Sequence, residues 1–348
     1  MDSVEAAFKG KSINFIVALA AGGGYDQYAR TLARHLERHL PGNPNVVVQN
    51  MTGAAGMRAT NWLYNVALRD GLTIGIIQRS VLVEPLLGTK EASFDPTKFS
   101  WLASLNDEAF IAVTWKGQGI DSIKDAQAKE FCVAADGPAT DDDIRPAVLN
   151  ATIDKKFKVR TGYTGKAEER LSVRRDETLG LIGCSWAALQ TQEWDDYKAD
   201  NWRIIAHLGK GKHPEFDAPS IYDVATTPET RATFEFLNAT LALGRPVFAL
   251  PGMPKDREAV LQAGLATALK DPAFLADAQK QKLDISRASG EELAERGEWL
   301  YRTPFAVVER TQAVRKKRLD LRRAGRGHPD QLLFAALTRG GPSRHSIS

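Results

Sequence analysis

The stretch Phe15–Arg30, FIVALAAGGGYDQYAR, changes character twice over a short length of chain. It begins as an apolar run, passes through Gly22, Gly23 and Gly24, and ends in polar residues with helical spacing. This order predicts a buried strand, a turn with almost no side chains, and an amphipathic helix. Ligands of parallel α/β proteins bind where a strand ends and a helix begins. The turn therefore predicts a site at which backbone N–H groups and a helix N-terminus face a bound anion.

Known nucleotide-binding motifs do not explain the glycines. A dinucleotide fingerprint needs G-x-G-x-x-G, but the third position counted from Gly22 and Gly24 is occupied by Gln27. The sequence also lacks the G-x-x-x-x-G-K-[ST] pattern of a P-loop. Spacing alone leaves two interpretations open: a loop that binds a small anion, or glycines that only allow tight packing between the strand and the helix.

Strand-like and helical patterns alternate along most of the chain, which predicts parallel sheets covered by helices. At 348 residues the chain is about twice the length of one typical domain, so two α/β lobes are expected. The predicted strands are Ile13–Leu19, Asn45–Gln49, Thr73–Ile77, Phe110–Trp115, Phe131–Ala135, Lys158–Tyr163, Thr178–Cys184 and Leu241–Leu250. The predicted helices are Gln27–Leu40, Ala54–Ala67, Ile120–Lys129, Asp143–Ile153, Lys166–Arg175, Pro254–Leu269, Pro272–Gln281 and Gly290–Lys317.

The composition, 43% hydrophobic and 26% charged, is typical of a globular protein rather than a disordered or fibrous one. The longest apolar runs are much shorter than the roughly 20 residues of a membrane-spanning helix. Residues 1–12, MDSVEAAFKGKS, contain neither an apolar signal region nor a small-residue cleavage site. We therefore expect a cytoplasmic protein if this start is genuine, and a periplasmic one if a leader has been removed.

Positive charge is concentrated at the C-terminus. Residues 311–348 carry nine Lys or Arg against Asp320 and Asp330, whereas the rest of the chain carries 37 Lys or Arg against 41 Asp or Glu. Because the body is mildly acidic, nucleic-acid binding is not expected. The tail at residues 315–348 is interpreted as a solvated or partly disordered appendage, with binding to a lipid surface or a polynucleotide as the alternative.

Residues that could support catalysis or bind a metal are few. Cys132 and Cys184 form no metal-binding cluster and are interpreted as buried free thiols, with one disulfide as the alternative. His35 and His39 share one helix face, but two arginines stand beside them without a third ligand, so a solvated face is expected. The sequence contains no G-x-S-x-G, H-E-x-x-H or C-x-x-C motif. Neither a cofactor nor an enzymatic activity is predicted.

Four motifs in the first hundred residues follow one another in a distinctive order: Ala20–Asp26 (AAGGGYD), Val46–Asn50 (VVVQN), Gly53–Gly56 (GAAG) and Asp70–Thr73 (DGLT). In this order and spacing the chain closely resembles the tricarboxylate-transporter receptors, the TctC or Bug family of extracytoplasmic solute-binding proteins. Four linked elements are far more specific than one glycine run. The resemblance covers about residues 12–310 and fades in the basic tail.

The resemblance implies a type II-like periplasmic binding protein, a Venus flytrap of two Rossmann-like α/β lobes joined by crossover strands. Lobe I would comprise residues 1–108 with 245–314, and lobe II residues 109–244. The protein would capture a small carboxylate-containing metabolite in the interlobe cleft and pass it, as a monomer, to the membrane permease subunits of a tripartite tricarboxylate-type transporter. A ligand sensor of the same fold acting in signalling, and an α/β enzyme, are the alternatives.

The resemblance also implies the first ligand-binding loop, in which backbone amides and ordered water would hold one carboxylate. Its residues are Ala20, Ala21, Gly22, Gly23, Gly24, Tyr25 and Asp26. Asp26 is interpreted as a helix cap or water-ordering group, with direct ligand contact as the alternative. Gln78, Arg79 and Ser80 follow the next strand, and Arg79 would pair with a carboxylate unless it points to solvent or pairs with Glu84.

The second lobe departs from the family pattern. Its predicted ligand contacts Asp136, Gly137, Ala139 and Thr140 lie in an acidic loop, for which a heavily capped helix start is the other interpretation. Acidic side chains there would repel a second ligand carboxylate, so a monocarboxylate or an amine-bearing ligand becomes more credible than for a typical relative.

Three further residues follow second-lobe strands and would face the ligand by the strand-end rule: Tyr163, Ser185 and Trp186. Trp186 would stack on a ring or an alkyl chain of the ligand, or serve only as a packing residue.

Overall fold

The computed structural model describes residues 2–107, 109–135, 141–152, 157–163, 165–225 and 227–323. The strands are β1 Ser12–Val17, β2 Asn45–Asn50, β3 Thr73–Ile76, β4 Ser100–Ser104, β5 Phe110–Trp115, β6 Phe131–Ala135, β7 Phe157–Thr161, β8 Gly180–Ser185, β9 Trp202–His207, β10 Pro246–Ala249 and β11 Ala288–Ser289. The helices are α1 Asp2–Phe8, α2 Gly24–Leu36, α3 Met57–Asn65, α4 Asp125–Ala128, α5 Asp141–Thr152, α6 Lys166–Arg174, α7 Trp186–Gln192, α8 Trp194–Lys198, α9 Ile221–Val224, α10 Pro228–Ala239, α11 Lys255–Ala268, α12 Pro272–Lys280, α13 Gly290–Tyr301 and α14 Phe305–Arg323.

The chain forms two compact units, each of mixed α/β structure. The first consists of Met1–Glu108 and Ala239–Thr303, and the second of Ala109–Asn238 and Pro304–Ser348. Helix α14 falls in the second unit because it packs against α5, whereas the grouping from sequence places residues up to 314 with the first lobe.

A six-stranded sheet forms the centre of the first unit, in the order β11-β4-β10-β3-β1-β2. Strands β2 and β3 both run parallel to β1, whereas β10 runs antiparallel to β3 and to β4. The first three strands therefore form the predicted β-α-β-α-β unit. Strand β10 comes from much later in the chain and enters the same sheet in the opposite direction.

Helices α2, α11 and α12 cover one face of this sheet. Phe15 and Val17 of β1 are fully buried there, together with Leu32 of α2 and Leu265 of α11. Burying each such side chain contributes about 1.5–3 kcal/mol, so this face supplies much of the driving force for folding the unit. The core therefore fixes where β1 ends and α2 begins.

A five-stranded sheet forms the centre of the second unit, in the order β7-β6-β8-β5-β9. Strand β6 runs parallel to β7 and β8, and β5 runs antiparallel to β8 and β9. The register of β5 against β8 shifts between Ile111 and Ala112, which leaves Gly183 as the extra residue of a β-bulge, at φ +95°.

Several predicted elements differ from the structure. The helix predicted over Ile120–Lys129 is confined to the single turn of α4, and the strand predicted over Leu241–Leu250 is reduced to β10 by a 3₁₀ turn and Gly244. The long helix predicted over Gly290–Lys317 is two helices, α13 and α14. Pro304 stands between them, because proline removes a backbone donor and its ring clashes with the preceding turn.

The predicted basic tail begins inside α14, so its first residues are helical rather than disordered as far as Arg323. The rest of the predicted tail lies outside the described residues. No helix within the described ranges combines the length and the apolar character needed to cross a membrane.

Candidate ligand-binding site

Three loops of the first unit meet at one edge of its sheet. Because β1 and β3 are parallel neighbours, the loops that follow Val17 and Ile76 leave the sheet at the same edge. The loop of the third motif packs against both of them. A Cβ atom built on Gly56 would lie 3.3 Å from the Cβ of Ala18 and 3.6 Å from a methyl group of Val81. The segment after β1 and the third motif are therefore in contact, whereas the fourth motif, Asp70–Thr73, lies at the opposite edge, where β3 begins.

The glycine turn presents an open backbone surface. Gly22 adopts φ +78°, and a Cβ built on it meets no atom within 4 Å. Gly23 is the N-cap of α2 and provides no side-chain cap, while Ala20–Gly24 are exposed. The first N–H groups of any α-helix lack partners within the helix, and the N-cap Gly23 has no side chain that could bond to them. This arrangement suits a bound anion at the start of α2.

Asp26 holds the turn in place from inside the unit. Its buried carboxylate accepts hydrogen bonds from the backbone N–H of Gly22 at 2.8 Å, from Nε of Arg30 at 2.9 Å and from Nδ2 of Asn50 at 2.9 Å. The same Asn50 amide also donates to the carbonyl of Leu19 at 2.9 Å. The structure therefore supports a structural role for Asp26 rather than direct ligand contact. Asp26 is not the N-cap of α2 but a brace that connects the turn to Asn50.

The electrostatics of Asp26 agree with this role. Burial alone would raise the pKa of the carboxyl group, but the hydrogen bonds from Arg30, Gly22 and Asn50 outweigh it and hold the pKa below its ordinary value. Asp26 is thus ionised at neutral pH, and its charge is matched by Arg30. The negative charge nearest the turn is consequently compensated within the protein.

Arg79 lies inside the unit rather than in solvent, so the solvent-exposed alternative is wrong. Arg79 exposes only 7% of its surface to solvent, and its Nη1 donates a hydrogen bond to the hydroxyl of Tyr25 at 3.3 Å. Gln78 and Ser80, on either side of it, are half-buried at the start of a short 3₁₀ helix. The segment after β3 therefore contacts the glycine loop through Tyr25.

Sequence reasoning missed one cation at this edge. The guanidinium carbon of Arg245 lies 4.3 Å from the ring centroid of Tyr28 and 5.4 Å from that of Tyr25. Its Nη2 lies 3.4 Å from the position of a Cβ built on Gly24. Prediction of a continuous strand over 241–250 made Arg245 an interior strand residue, although Gly244 before it and Pro246 after it signalled an interruption.

In the second unit, the residues predicted after strand ends serve different purposes. Ser185 is the N-cap of α7, where its hydroxyl accepts a hydrogen bond from the N–H of Ala188 at 3.2 Å. Trp186 is buried, and its indole N–H donates to Glu215. Tyr163 is half-buried and packs against the same core. The predicted contacts Asp136, Gly137, Ala139 and Thr140 lie outside the described residues.

The indole of Trp186 is enclosed by other aromatic rings. Its centroid lies 6.3 Å from that of Trp194, 5.3 Å from that of Tyr197 and 5.0 Å from that of Phe216. This is the packing role left open by the sequence. Stacking of Trp186 on a ligand would require that cluster to rearrange.

The acidic segment at the start of α5 is partly neutralised. Asp142 forms an ion pair with Lys166, whose Nζ also lies 3.1 Å from Oε1 of Glu169. Asp143 is fully buried. Asp142 is therefore paired within the unit and repels a second ligand carboxylate less than a free acidic side chain would.

A 3₁₀ turn, Glu37–His39, extends α2. His35 of α2 and His39 of this extension do not form a solvated face, which corrects the sequence interpretation. Nε2 of His35 lies 2.9 Å from Oδ2 of Asp277, and Nε2 of His39 lies 2.8 Å from Oδ2 of Asp271. Within the described part of the chain, no three His, Cys, Asp or Glu side chains lie together as a metal site requires. The pairs instead connect α2 to α12.

Both cysteines are free thiols, so the disulfide alternative is wrong. Cys184 is buried, and its burial raises the pKa of the thiol to about 11. Because the thiolate is the nucleophilic form, both the burial of Cys184 and its raised pKa disfavour a reactive thiolate at neutral pH.

Comparison with solved structures places this architecture among the periplasmic binding proteins. A TctC solute-binding protein from Polaromonas aligns with 89% of this chain and 98% of its own, at 19% identity and a TM-score of 0.63. An R. palustris protein solved with adipate aligns with 88% of this chain and 98% of its own, at 16% identity and a TM-score of 0.63. MatC from Rhodopseudomonas palustris, with bound malate, aligns with 88% of this chain and 100% of its own, at 15% identity and a TM-score of 0.62.

These similarities establish the two-lobed α/β fold of periplasmic binding proteins, as predicted. No protein-family model and no curated protein matches the chain. At identities below 20% the shared fold does not by itself carry over a ligand or an activity. Function has to be argued from the site.

Proposed function

We propose that this protein is an extracytoplasmic, non-catalytic solute receptor that binds a small organic acid. It delivers the acid, as a monomer in the periplasm, to the permease subunits of a tripartite tricarboxylate-type transporter. The glycine loop at the start of α2 holds one carboxylate of the ligand through backbone N–H groups.

The observation that carries this proposal is the braced and open glycine turn. The carboxylate of Asp26 connects Gly22 of the turn to Arg30 of α2 and to Asn50 of β2. Because the turn is tied to both elements, the N–H groups of the first helical turn keep their direction without a ligand. Donors that are already oriented bind an anion without the entropic cost of ordering a loop. The exposed surface of Ala20–Gly24 leaves room for carboxylate oxygens to approach the backbone.

A carboxylate is the ligand group that best fits the charges at this edge. The N-terminus of α2 contributes about half a positive charge, Arg79 lies behind Tyr25, and the charge of Asp26 is matched by Arg30. Adipate and malate, the acids bound in two proteins of the same fold, are dicarboxylates. We therefore include dicarboxylates among the candidate ligands, beside the monocarboxylates and amine-bearing acids that the acidic loop suggests.

The other predicted contacts keep their proposed roles. Gln78 and Ser80 would contact the ligand beside the glycine loop in the first unit. In the second unit, Asp136, Gly137, Ala139, Thr140, Tyr163 and Ser185 are proposed as ligand contacts. Trp186 is proposed as a packing residue and not as a ligand contact.

A thermal-shift screen followed by calorimetric titration tests the proposal. The purified protein is screened against acetate, malate, adipate, citrate, benzoate and free amino acids, with neutral amides and simple amines as the comparison set. A ligand that binds only the folded state raises the melting temperature by mass action. We expect a shift with at least one acid and none with the neutral amides. A shift with amides or amines alone would contradict the carboxylate assignment.

The variant Gly23→Val tests the loop itself. Gly23 has φ −77°, which valine tolerates, and its added Cβ would lie 3.3 Å from the carbonyl of Ala20, so the fold should survive with a loss of about 1 kcal/mol. The branched side chain would cover the first N–H groups of α2, and affinity for the acid should fall more than tenfold. Ser12→Val, at the exposed opposite end of β1, is the matched control and should bind normally. Normal binding by Gly23→Val would refute the loop assignment.

A further inference from the structure

The direction of β10 brings Arg245 to the glycine loop. Strand β10 is antiparallel to β3, and Val247 pairs with Ile76, the last residue of β3. The residue just before β10 must therefore lie at the edge where β3 ends, which is also the edge where β1 ends. A side chain 221 residues away in sequence is placed beside Gly24 by topology alone.

The backbone of Arg245 is tightly fixed. Its carbonyl accepts a hydrogen bond from the N–H of Leu105 at 3.2 Å. Gly244 adopts φ +58° and packs so closely that an added Cβ would lie 1.7 Å from the carbonyl oxygen of Asn106. No residue but glycine fits there without displacing the neighbouring chain, so the position of Arg245 is set by its surroundings.

Two tyrosines of α2 hold the guanidinium. Its carbon lies 4.3 Å from the ring centroid of Tyr28 and 5.4 Å from that of Tyr25, which are cation–π distances. The hydroxyl of Tyr25 in turn accepts a hydrogen bond from Nη1 of Arg79 at 3.3 Å. Tyr25 is therefore contacted by two arginines, one from the segment after β3 and one from the segment before β10.

The Nη2 end of Arg245 points to the glycine turn, 3.4 Å from the Cβ position of Gly24. A planar guanidinium held by stacking loses little further entropy when it pairs with a carboxylate, and it matches both carboxylate oxygens. A neutral amide in the same place would offer the guanidinium no negative charge to pair with.

We propose that Arg245 is a specificity-determining residue of the receptor, which pairs with the carboxylate held at the glycine turn and so restricts the ligand to acids that present an anion there. This inference rests on the proposed function. It assigns to Arg245 the discrimination between acids and neutral ligands, which backbone amides alone provide only weakly.

Calorimetric titration of three variants tests the assignment, with malate and adipate as the probes. Arg245→Met keeps an apolar stem over Tyr28 but removes the charge, so affinity should fall at least about tenfold. Arg245→Lys keeps the charge without the planar fork and should be intermediate. Arg34→Met removes the same charge from α2, at a position paired with Asp277, and should bind as the parent protein does.

The salt dependence of acid affinity distinguishes an Arg245 that pairs with the ligand from one that only stabilises the fold. In the parent protein the affinity should fall as NaCl is raised from about 0.02 M to about 0.5 M, because exposed ion pairs are screened. Arg245→Met should show a much smaller dependence. If Arg245→Met binds the acids equally well with the same salt dependence, this inference is wrong while the proposed function stands. If the parent protein binds no acid of the thermal-shift panel, both fail.

Discussion

Gly22 and Gly244, at one edge of the first sheet, both have positive φ angles, but their surroundings restrict an added side chain to different extents. Gly22 meets nothing within 4 Å, whereas Gly244 would place a Cβ atom 1.7 Å from the carbonyl oxygen of Asn106. At Gly22 only the backbone conformation disfavours a side chain. At Gly244 conformation and close packing act together, and the packing positions Arg245.

Alanine substitutions separate these two contributions. Gly22→Ala should reduce the free energy of unfolding by about 1–2 kcal/mol, the usual cost of a left-handed conformation outside glycine. Gly244→Ala should reduce it by about 3 kcal/mol or more, because overpacking against a backbone carbonyl is added. Urea unfolding monitored by circular dichroism provides both values. Equal losses in the two variants would show that the contact with Asn106 relaxes freely.

Residues at the candidate site could be predicted from sequence to different extents. The glycine turn could be predicted because a strand, a turn and a helix are local patterns, each with its own period. The hydrogen bond from Asn50 to Asp26 could not, since it depends on how close the end of β2 lies to the start of α2 in the folded unit. Arg245 could not either, because only the pairing of β10 with β3 brings it to the turn.

At the scale of elements, charged pairs connect α2 and its 3₁₀ extension to α12. Arg34 and His35 contact Asp277, and Arg38 and His39 contact Asp271. Hydrogen bonds from His35 and Arg34 lower the pKa of Asp277 to about 2, and those from Arg38 and His39 lower the pKa of Asp271 well below its ordinary value. Asp271 and Asp277 are half-buried, but their arginine partners are about half exposed to solvent, so each pair contributes modestly.

These shifts predict a stability loss in acid. A carboxyl group with a lowered pKa in the folded state stabilises the protein above its ordinary pKa of 3.8, and the contribution disappears as the pH falls toward about 2. The double variant Asp271→Asn, Asp277→Asn should therefore be less stable than the parent protein at pH 6. The difference should narrow between pH 4 and pH 2.5 in urea titrations. A difference that stays constant over this range would contradict the assignment.

Elements were predictable where their pattern is local and strong. Strands β1, β2 and β3 follow the predicted order, because each is a short β-rich run bounded by turn residues. Strands β4 and β9 were not predicted. Strand β4 is a five-residue segment, SWLAS, whose partners β10 and β11 lie more than a hundred residues away in sequence. Tertiary pairing, rather than propensity, determines such a strand.

At the scale of the whole molecule, fold and function rest on different observations. Structural similarity extends over 89% of the chain at 19% identity, which establishes the architecture. The ligand proposal depends instead on a small region of the first unit: the glycine turn, its brace at Asp26, and the two arginines around Tyr25. A test of function must therefore show which of the two units of the intact protein is stabilised by the ligand.

Hydrogen exchange of the intact protein makes this distinction. At an acid concentration of about 100 times Kd, binding should stabilise the folded state by about 2.7 kcal/mol and slow exchange wherever amides open by unfolding of the liganded unit. We expect the largest protection in residues 18–26 and in β1, β3 and β10 of the first unit, because the turn is braced directly onto that sheet. Gly23→Val at the same acid concentration should lose this protection, whereas Ser12→Val should keep it. Protection confined to the second unit would place the ligand away from the glycine turn and contradict the role assigned to both the turn and Arg245.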